Sequence, residues 1–427
     1  MKKPKKNYWK ERSRMSNIPK LRFPEFSGEW EEKNFYEVFD ILQNNTFSRD
    51  QLNNENGIVR NIHYGDVLIK YGDYIDCQKE KLPFINLENN LSKYEDTSYV
   101  KNGDIIIADT AEDYTAGKVT EICNVKDYKI LSGLHTFLCR TKFEFASKFL
   151  GYKLNSSSYH NQIAPLVAGT KVYSINRKAI GETAITYPSK AEQQKIADFL
   201  SNVDSIITAE TKILNTLQKK KKALMQKLFT QQLRFKSDDG TDFPEWEEKK
   251  LGDVCSYIGG GTPSKKVKEY WNGNINWASV KDITGKYLYE TQDKISQLGA
   301  DSSATNICEP DSLLLITRMS PGKTVITKCI TAINQDLKIV KSDINVEFLH
   351  LLFHSIQTKI DEKTSGTTVK GISIEGLNQI DIRLPCKAEQ QKIADCLSSI
   401  DSLIQTQQKV VTTWQQRKKA LLQQMFI

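Results

Sequence analysis

The chain has 427 residues, 39% hydrophobic and 26% charged, with a formal net charge of +8. That is enough chain for two or three packed domains, excludes disorder as the default, and leans toward a polyanionic partner. There is no signal-peptide pattern and no apolar run near the roughly 18 residues of a membrane span, and the eight cysteines (77, 123, 139, 255, 308, 329, 386 and 396) form no Cys-x-x-Cys pair, which argues against a zinc ribbon and for free thiols in a reducing cytoplasm.

Residues 1–14 are rich in Lys and Arg, and Met15 offers a second start. This basic leader, taken as residues 1–18, reads as a disordered tail or as an arm on nucleic acid. Residues 19–188 follow, with short β-branched runs at 66–69 and 104–107 and a helical patch at 142–155. Residues 189–235 then lose Gly and Pro entirely and read as one long helix. A polar joint at 236–241 opens a second region, 236–385, with strand-like runs at 313–316 and 379–382 and a helical patch at 346–359. A second long helix is predicted over 386–427. The chain is thus an α+β protein with two globular domains and two long helices.

The chain also repeats itself. Residues 187–229 laid over 384–426 match at 24 of 43 positions without a gap, including Lys-Ala-Glu-Gln-Gln-Lys-Ile-Ala-Asp at 190–198 and again at 387–395. Phe23-Pro24 and Trp30-Glu31-Glu32-Lys33 recur as Phe243-Pro244 and Trp246-Glu247-Glu248-Lys249. A duplicated unit of this length must be recognised before a fold is assigned. Between the repeats, residues 35–165 and 251–360 do not resemble each other, so two similar frames carry two inserts. Along the helices a heptad runs through Ile196, Leu200, Val203, Ile207, Leu214, Leu217 and Leu224, and through Ile393, Leu397, Ile400, Ile404, Val411, Trp414 and Leu421. Both stripes break at matching positions, Glu210 and Lys221 in one copy, Gln407 and Lys418 in the other. Such spacing predicts a coiled-coil seam, in which polar core positions fix register and partner. The twofold expectation for duplicated units favours an antiparallel pair over a parallel one.

Catalytic patterns fail on inspection. Gly322-Lys323-Thr324 ends like a phosphate loop, but the required first glycine is Thr317. His350 and His354 are four apart with no intervening Glu, so the zinc-protease pattern is absent. Acidic-x-Lys triplets at 361–363 and 247–249 are ordinary in a chain with this much charge. No Asn-Pro-Pro-Tyr or Gly-x-Ser-x-Gly motif occurs. The remaining signal is a glycine-rich cationic loop, Gly259-Gly-Gly-Thr262-Pro-Ser264-Lys265-Lys266, leading into Tyr270-Trp271 and Trp277-Ala-Ser279-Val-Lys281. Its glycines would let backbone N–H groups approach an anion, and its hydroxyls and lysines suit phosphate; the tryptophans read as core.

This loop resembles the target-recognition domain of the specificity subunit of type I DNA restriction–modification enzymes. The stretch 366–373 (Gly-Thr-Thr-Val-Lys-Gly-Ile-Ser), its counterpart Gly169-Thr-Lys-Val-Tyr-Ser174, and Asn334-Gln335-Asp336-Leu337 resemble pieces of that family, as do 62–66, 107–113 and 132–136. The Ala-Glu-Gln-Gln helices are similar to its spacer regions. Tyr173 stands where the second half has Lys370. The resemblance implies two target-recognition domains, a pseudo-two-fold repeat and an antiparallel coiled coil. It implies a chain without catalysis that binds a bipartite double-stranded DNA site. It further implies two modification subunits using S-adenosylmethionine and two restriction subunits using ATP and Mg, with no cofactor on this chain. Candidate DNA contacts are then Lys70, Tyr71, Asp109, Glu112, Asp113, Lys118, His135, Thr170 and Lys171 in the first half. In the second they are Thr262, Ser264, Lys265, Lys266, Ser279, Lys281, Arg318, Lys323, Asn334, Gln335, Thr367, Thr368 and Lys370. Arg318 suits guanine, Asn334 and Gln335 suit adenine, and the acids suit cytosine amino groups. A stand-alone DNA-binding regulator or a scaffold is the rival reading, and a free-standing methyltransferase or nuclease the more distant one.

Overall fold

The computed structural model describes residues 17–113, 115–169, 172–366 and 369–427. The chain divides into two compact units, Met1–Thr211 with Lys409–Ile427, and Lys212–Gln408. In unit 1 the main strands are β1 (Glu31–Asn34), β2 (Phe39–Leu42), β3 (Arg60–Ile62), β4 (Tyr74–Asp76) and β5 (Phe84–Ile85). They are followed by β6 (Ile105–Ala108), β7 (Val119–Cys123), β8 (Ile130–Ser132), β9 (Thr136–Thr141) and β10 (Ala184–Tyr187). One sheet runs β2-β9-β6-β7-β4, antiparallel except at the β4–β7 edge. A second runs β8-β3-β5, with β8 and β3 parallel, and ends on Leu52–Asn53. β1 and β10 form a separate antiparallel ribbon.

Unit 2 repeats this plan in its main strands. Its strands are β11 (Glu247–Lys250), β12 (Ser256–Gly259), β13 (Ile275–Ala278), β14 (Tyr287–Leu288) and β15 (Asp293–Ile295). Then come β16 (Leu313–Ile316), β17 (Thr324–Thr327), β18 (Thr331–Ile333), β19 (Leu337–Lys341) and β20 (Asp381–Leu384). The sheets run β12-β19-β16-β17-β14 and β18-β13-β15, again with β14–β17 and β13–β18 parallel, and β11 pairs with β20. The second sheets differ in their outer strand: Asn306–Cys308 joins the β18 side, whereas Leu52–Asn53 joins the β5 side. Inserts without sequence resemblance thus share one topology. What they share is the order of buried apolar strands, such as β6 and β16, which are buried along their whole length; the residues filling that pattern are free to differ.

Two local readings of the sequence are corrected. Residues 66–69 are not a strand but lie in the helix Tyr64–Ile69. His63 caps that helix, accepting from the Gly65 N–H at 3.2 Å, and only Val67 of the run is buried. The patch at 142–155 is helical only over α1 (Phe149–Asn155); the chain before it leaves strand β9.

The long helices are α2 (Lys190–Phe229) and α4 (Lys387–Met425), with α3 (Val346–Ser355) packed on the unit 2 sheet. In unit 1, Ile196, Ala197 and Leu200 from the start of α2 share a core with Met425 and Phe426. In unit 2, Ile393, Ala394 and Leu397 from the start of α4 share one with Leu228. Start meets end both times, so the helices pair antiparallel. Along α2 the heptad positions 196, 200, 203, 207, 214, 217 and 224 are buried or half-buried, and along α4 so are 393, 397, 400, 404, 411, 414 and 421.

The repeated Glu-Gln-Gln fastens each helix to its domain. Glu192 takes two hydrogen bonds from Arg22, at 2.8 and 2.7 Å, and Glu389 takes two from Arg234, at 3.2 and 3.0 Å. Gln193 accepts from the Ala146 N–H and donates to the Pro188 carbonyl; Gln390 does the same with Asn345 and Pro385. Gln194 and Gln391 each donate to an Asp four residues on. The most repetitive sequence in the chain is therefore a joint, satisfying groups that burial would otherwise leave unpaired.

The lysines that break the stripes are ion-pair nodes. Lys418 meets Asp204 of α2 and Asp73, each at 2.6 Å, while Lys221 meets Asp401 of α4 at 2.5 Å. Burial alone lowers the Lys418 pKa, but Asp73 and Asp204 outweigh it and hold the ammonium above its ordinary value. Among the described residues no helix is long and apolar enough to cross a membrane.

Candidate nucleic-acid interface

In unit 2, five separate stretches meet at one end of the sheets. The chain leaving β12 donates from the Gly261 N–H to the Ile333 carbonyl at 3.0 Å, and the Asn334 N–H donates to the Ala278 carbonyl at 3.0 Å. The Thr317 N–H reaches the Asp336 carbonyl at 3.0 Å, the Met319 N–H reaches the Lys370 carbonyl at 2.8 Å, and the Ile372 N–H reaches the Thr317 carbonyl at 2.9 Å. Backbone hydrogen bonds of this density fix the junction, so its side chains project from a rigid base.

The glycines of the cationic loop serve packing rather than an anion. The Gly261 N–H is used on Ile333, and the Gly261 carbonyl accepts from Trp277 Nε1 at 3.1 Å. A Cβ on Gly260 would stand 2.3 Å from two carbonyl oxygens. Trp277 is buried and meets Trp271 edge-on at 5.1 Å. Beyond them Ser264, Lys265 and Lys266 are exposed. Thr262 Oγ1 donates to Gln335 Oε1 at 2.5 Å, which joins that loop to the turn between β18 and β19. Asn334, in contrast, is buried and folded onto Asp336, donating to its carboxylate at 3.3 Å and accepting its N–H at 3.0 Å. Arg318 stands over the same Asp336 at 3.4 Å with its side chain 57% exposed. Ser279 holds Asp282 at 2.9 Å, while Lys281, Lys323 and Lys370 are exposed.

Unit 1 builds its junction on the same hydrogen bonds. The Asn45 N–H donates to the Ser132 carbonyl, the Gly133 N–H to the Ile62 carbonyl, the Asp109 N–H to the His135 carbonyl and the Ile175 N–H to the Asp109 carbonyl, all at 2.8–3.1 Å. The side chains differ entirely. Asp109 accepts from Thr110 Oγ1 at 2.7 Å and stands 3.4 Å from His135 Nδ1. His135 is exposed and has a left-handed backbone, φ 53°. Glu112 and Asp113 are exposed, and the Thr115 hydroxyl and N–H hold the Asp113 carboxyl below its usual range. Lys70 is exposed and donates to the Lys81 carbonyl at 2.9 Å. Two candidates lie inside. Tyr71 is buried in a core with Ile106 and Ile122. Lys118 gives its ammonium to the Leu68 and Tyr71 carbonyls at 2.8 and 3.0 Å, and burial lowers its pKa. Thr170, Lys171, Thr367, Thr368 and the leader to residue 16 lie outside the described residues.

Arg49, which no motif marks, and Tyr64, from the stretch 62–66, stand in the same junction: Arg49 reaches Asp66, and the Tyr64 ring meets His135 edge-on at 5.4 Å. Among the described residues no cluster of three or more His, Cys, Asp or Glu could hold a metal. His350 is buried with Nδ1 2.9 Å from Thr324 Oγ1, and it meets only His354 ring to ring.

The sequence matches the family described as the type I restriction modification DNA specificity domain over residues 27–219 and 244–413. It is 25% identical over 423 residues to a putative type I restriction enzyme MjaX specificity subunit from Methanocaldococcus jannaschii, covering 95% of each chain. It is 31% identical over 189 residues to the MjaIX specificity subunit of the same organism, spanning 42% of this chain and 44% of that one. The solved S subunit of a type I restriction–modification system from M. genitalium is 16% identical and similar in fold, with a TM-score of 0.56 over 96% of this chain and 99% of that one.

Proposed function

This chain belongs to the type I restriction–modification DNA specificity family, and from that premise we propose how it works: each unit reads one half of a bipartite double-stranded DNA site through its loop junction, and the paired helices set the spacer. The observation that carries this reading is one fixed backbone frame presented twice with unlike exposed side chains. A frame sets position while its side chains set sequence. In unit 2, Lys265, Lys266, Lys281, Lys323 and Lys370 suit phosphate, and Arg318 and Gln335 suit base edges. In unit 1 the exposed groups are Glu112, His135 and Lys70, with Asp109 half-buried beside them, a more acidic set that would accept from cytosine or adenine amino groups.

The chain is a non-catalytic component of its complex. Its partners in this reading are two modification subunits that methylate adenine with S-adenosylmethionine and two restriction subunits that use ATP and Mg, in the cytoplasm. The helices and their joints give those subunits a docking surface.

Co-expression with the modification subunit and sequencing of the methylated DNA tests this. The expected result is adenine methylation at a bipartite site, in the mixture alone. Removing one heptad from each helix, matched across the seam, should shorten the spacer by about 3 base pairs and leave both half-sites intact. A changed half-site with an unchanged spacer would overturn the ruler, and methylation by this chain alone would overturn the division of labour. Site-specific binding with no effect of either partner subunit would favour a stand-alone regulator.

A further inference from the structure

Unit 1 holds a charged fork that the sequence does not announce. Arg49 opens the short turn Arg49–Gln51 after β2, and Asp66 lies in the first turn of Tyr64–Ile69. Arg49 Nη1 donates to Asp66 Oδ2 at 2.9 Å and Nη2 to Oδ1 at 3.0 Å. The Asp66 side chain is 16% exposed and that of Arg49 is 54% exposed. The acid is therefore covered and the guanidinium is not. A guanidinium has five N–H donors in one plane. Asp66 takes the edge made by the two terminal nitrogens, which leaves the edge of Nε and the second Nη2 N–H; among the described residues Nε has no hydrogen-bond partner, and Nη2 has beyond Asp66 only the long approach to His63 Nδ1 at 3.4 Å.

The surroundings hold this fork still. Nη2 stands 3.4 Å from His63 Nδ1, the nitrogen that already accepts the Gly65 N–H. Burial first, and then Arg49, lower the His63 pKa, so the ring is neutral beside the cation. The His63 ring lies 4.6 Å from Tyr64, and Tyr64 continues to His135 at the junction. Arg318 in unit 2 has a single contact to its acid at 3.4 Å and no such fork.

An exposed planar edge, aimed in advance, suits a planar pair of acceptors. Phosphate and the O6/N7 edge of guanine both offer one. Asp66 decides between them: it cancels the net charge that attracts phosphate but keeps the direction that a base edge requires. We infer that Arg49 reads one guanine in the half-site of unit 1 and that Asp66 is its positioning residue. This rests on the DNA-reading function proposed above.

The test uses the chain in complex with its modification subunits and a duplex carrying the mapped site. Each guanine of the unit 1 half-site is replaced in turn by 7-deazaguanine, which lacks the N7 acceptor. One replacement should weaken binding of the unaltered complex about ten-fold. The same replacement should have no further effect on Arg49→Gln, nor on the double variant Arg49→Ala/Asp66→Ala, which leaves no unpaired acid behind. Asp66→Asn should keep binding but relax discrimination at that base pair alone. The assignment is overturned if every replacement weakens the unaltered and Arg49 complexes equally, or if the half-site holds no guanine. A complex that prefers no duplex removes the DNA-reading function as well, and that result is distinct from either of these.

Discussion

The two units use one fold to bury opposite chemistry. At the start of α1, Glu121 of β7 is 2% exposed and accepts from the Lys148 and Gly151 N–H groups at 2.5 and 2.9 Å. In unit 2 the buried titratable group at this strand–helix contact is His350, in the middle of α3 and against Thr324 of β17. The ion-pair nodes differ in the same manner. In unit 1 one lysine serves two acids, Lys418 with Asp204 and Asp73; in unit 2 one acid, Asp401, sees two lysines, Lys221 at 2.5 Å and Lys286 at 3.6 Å. Lys286 also pairs with Glu347 at 2.7 Å, so a topology constrains where charge must be neutralised and leaves open how the partners are shared.

Deleting the node lysines should break the symmetry most. Lys418→Ala leaves two half-buried acids without their counter-ion, Asp204 with Tyr152 and Asp73 with Asn155, and should cost about 3–5 kcal/mol, whereas Lys221→Ala leaves Asp401 near Lys286 and should cost about 1–2 kcal/mol. Urea unfolding of both variants measures the gap, and equal losses would mean that the second acid contributes nothing.

The buried acid and the buried histidine should give opposite responses to pH. Burial raises the Glu121 pKa from 4.5 to about 7, against the pull of the N–H groups it accepts. Folded unit 1 then keeps a proton that the unfolded chain releases, so stability is full below about pH 4.5 and falls as pH rises to about 7. Burial, then His354, push His350 from 6.5 down to about 3. The folded ring stays neutral where the unfolded one is charged, so stability is full above about pH 6.5 and falls as pH drops toward 3. Each slope is worth about 3–5 kcal/mol over its window. Hydrogen exchange in β7 and β17 between pH 4.5 and 6.5 should drift in opposite senses, and Glu121→Gln should flatten the first alone.

A smaller contrast lies in sequence reading. Arg318→Ala should relax specificity at one base pair of the unit 2 half-site by about 1–3 kcal/mol and leave the other half-site unchanged. Methylation mapping reads this directly; a loss spread over both half-sites would make Arg318 a structural residue. The smallest effect is at the paired tryptophans. Trp246 Nε1 donates to Glu389 at 3.0 Å, whereas Trp30 Nε1 is buried without an acceptor among the described residues. Trp246→Phe should cost about 1 kcal/mol more than Trp30→Phe, and melting temperatures of the two variants would sharpen or erase the difference.

Much of this was legible from residues alone. The duplication, the heptads and the interrupted register positions are local patterns, so the long helices and their seam could be read directly. The antiparallel sense followed from twofold logic. What the sequence hid was that residues 35–165 and 251–360 share a strand order, since burial patterns survive when identities do not. It also misled at Tyr71 and Lys118, where an aromatic and a lysine near a polar turn suggest a surface. One belongs to the core, and the other is consumed by two carbonyls.

The amino-acid order by itself determined the repeat, the periodicity that makes two helices seek each other, and the absence of the familiar catalytic spacings. Tertiary structure alone decided which groups meet. Arg49 finds Asp66 across 17 residues of chain, and Lys418 finds Asp73 across 345. Periodicity is a property of neighbours in sequence, but a charge pair is a property of neighbours in space. Nothing in either partner's local sequence records the loop closures that bring them together.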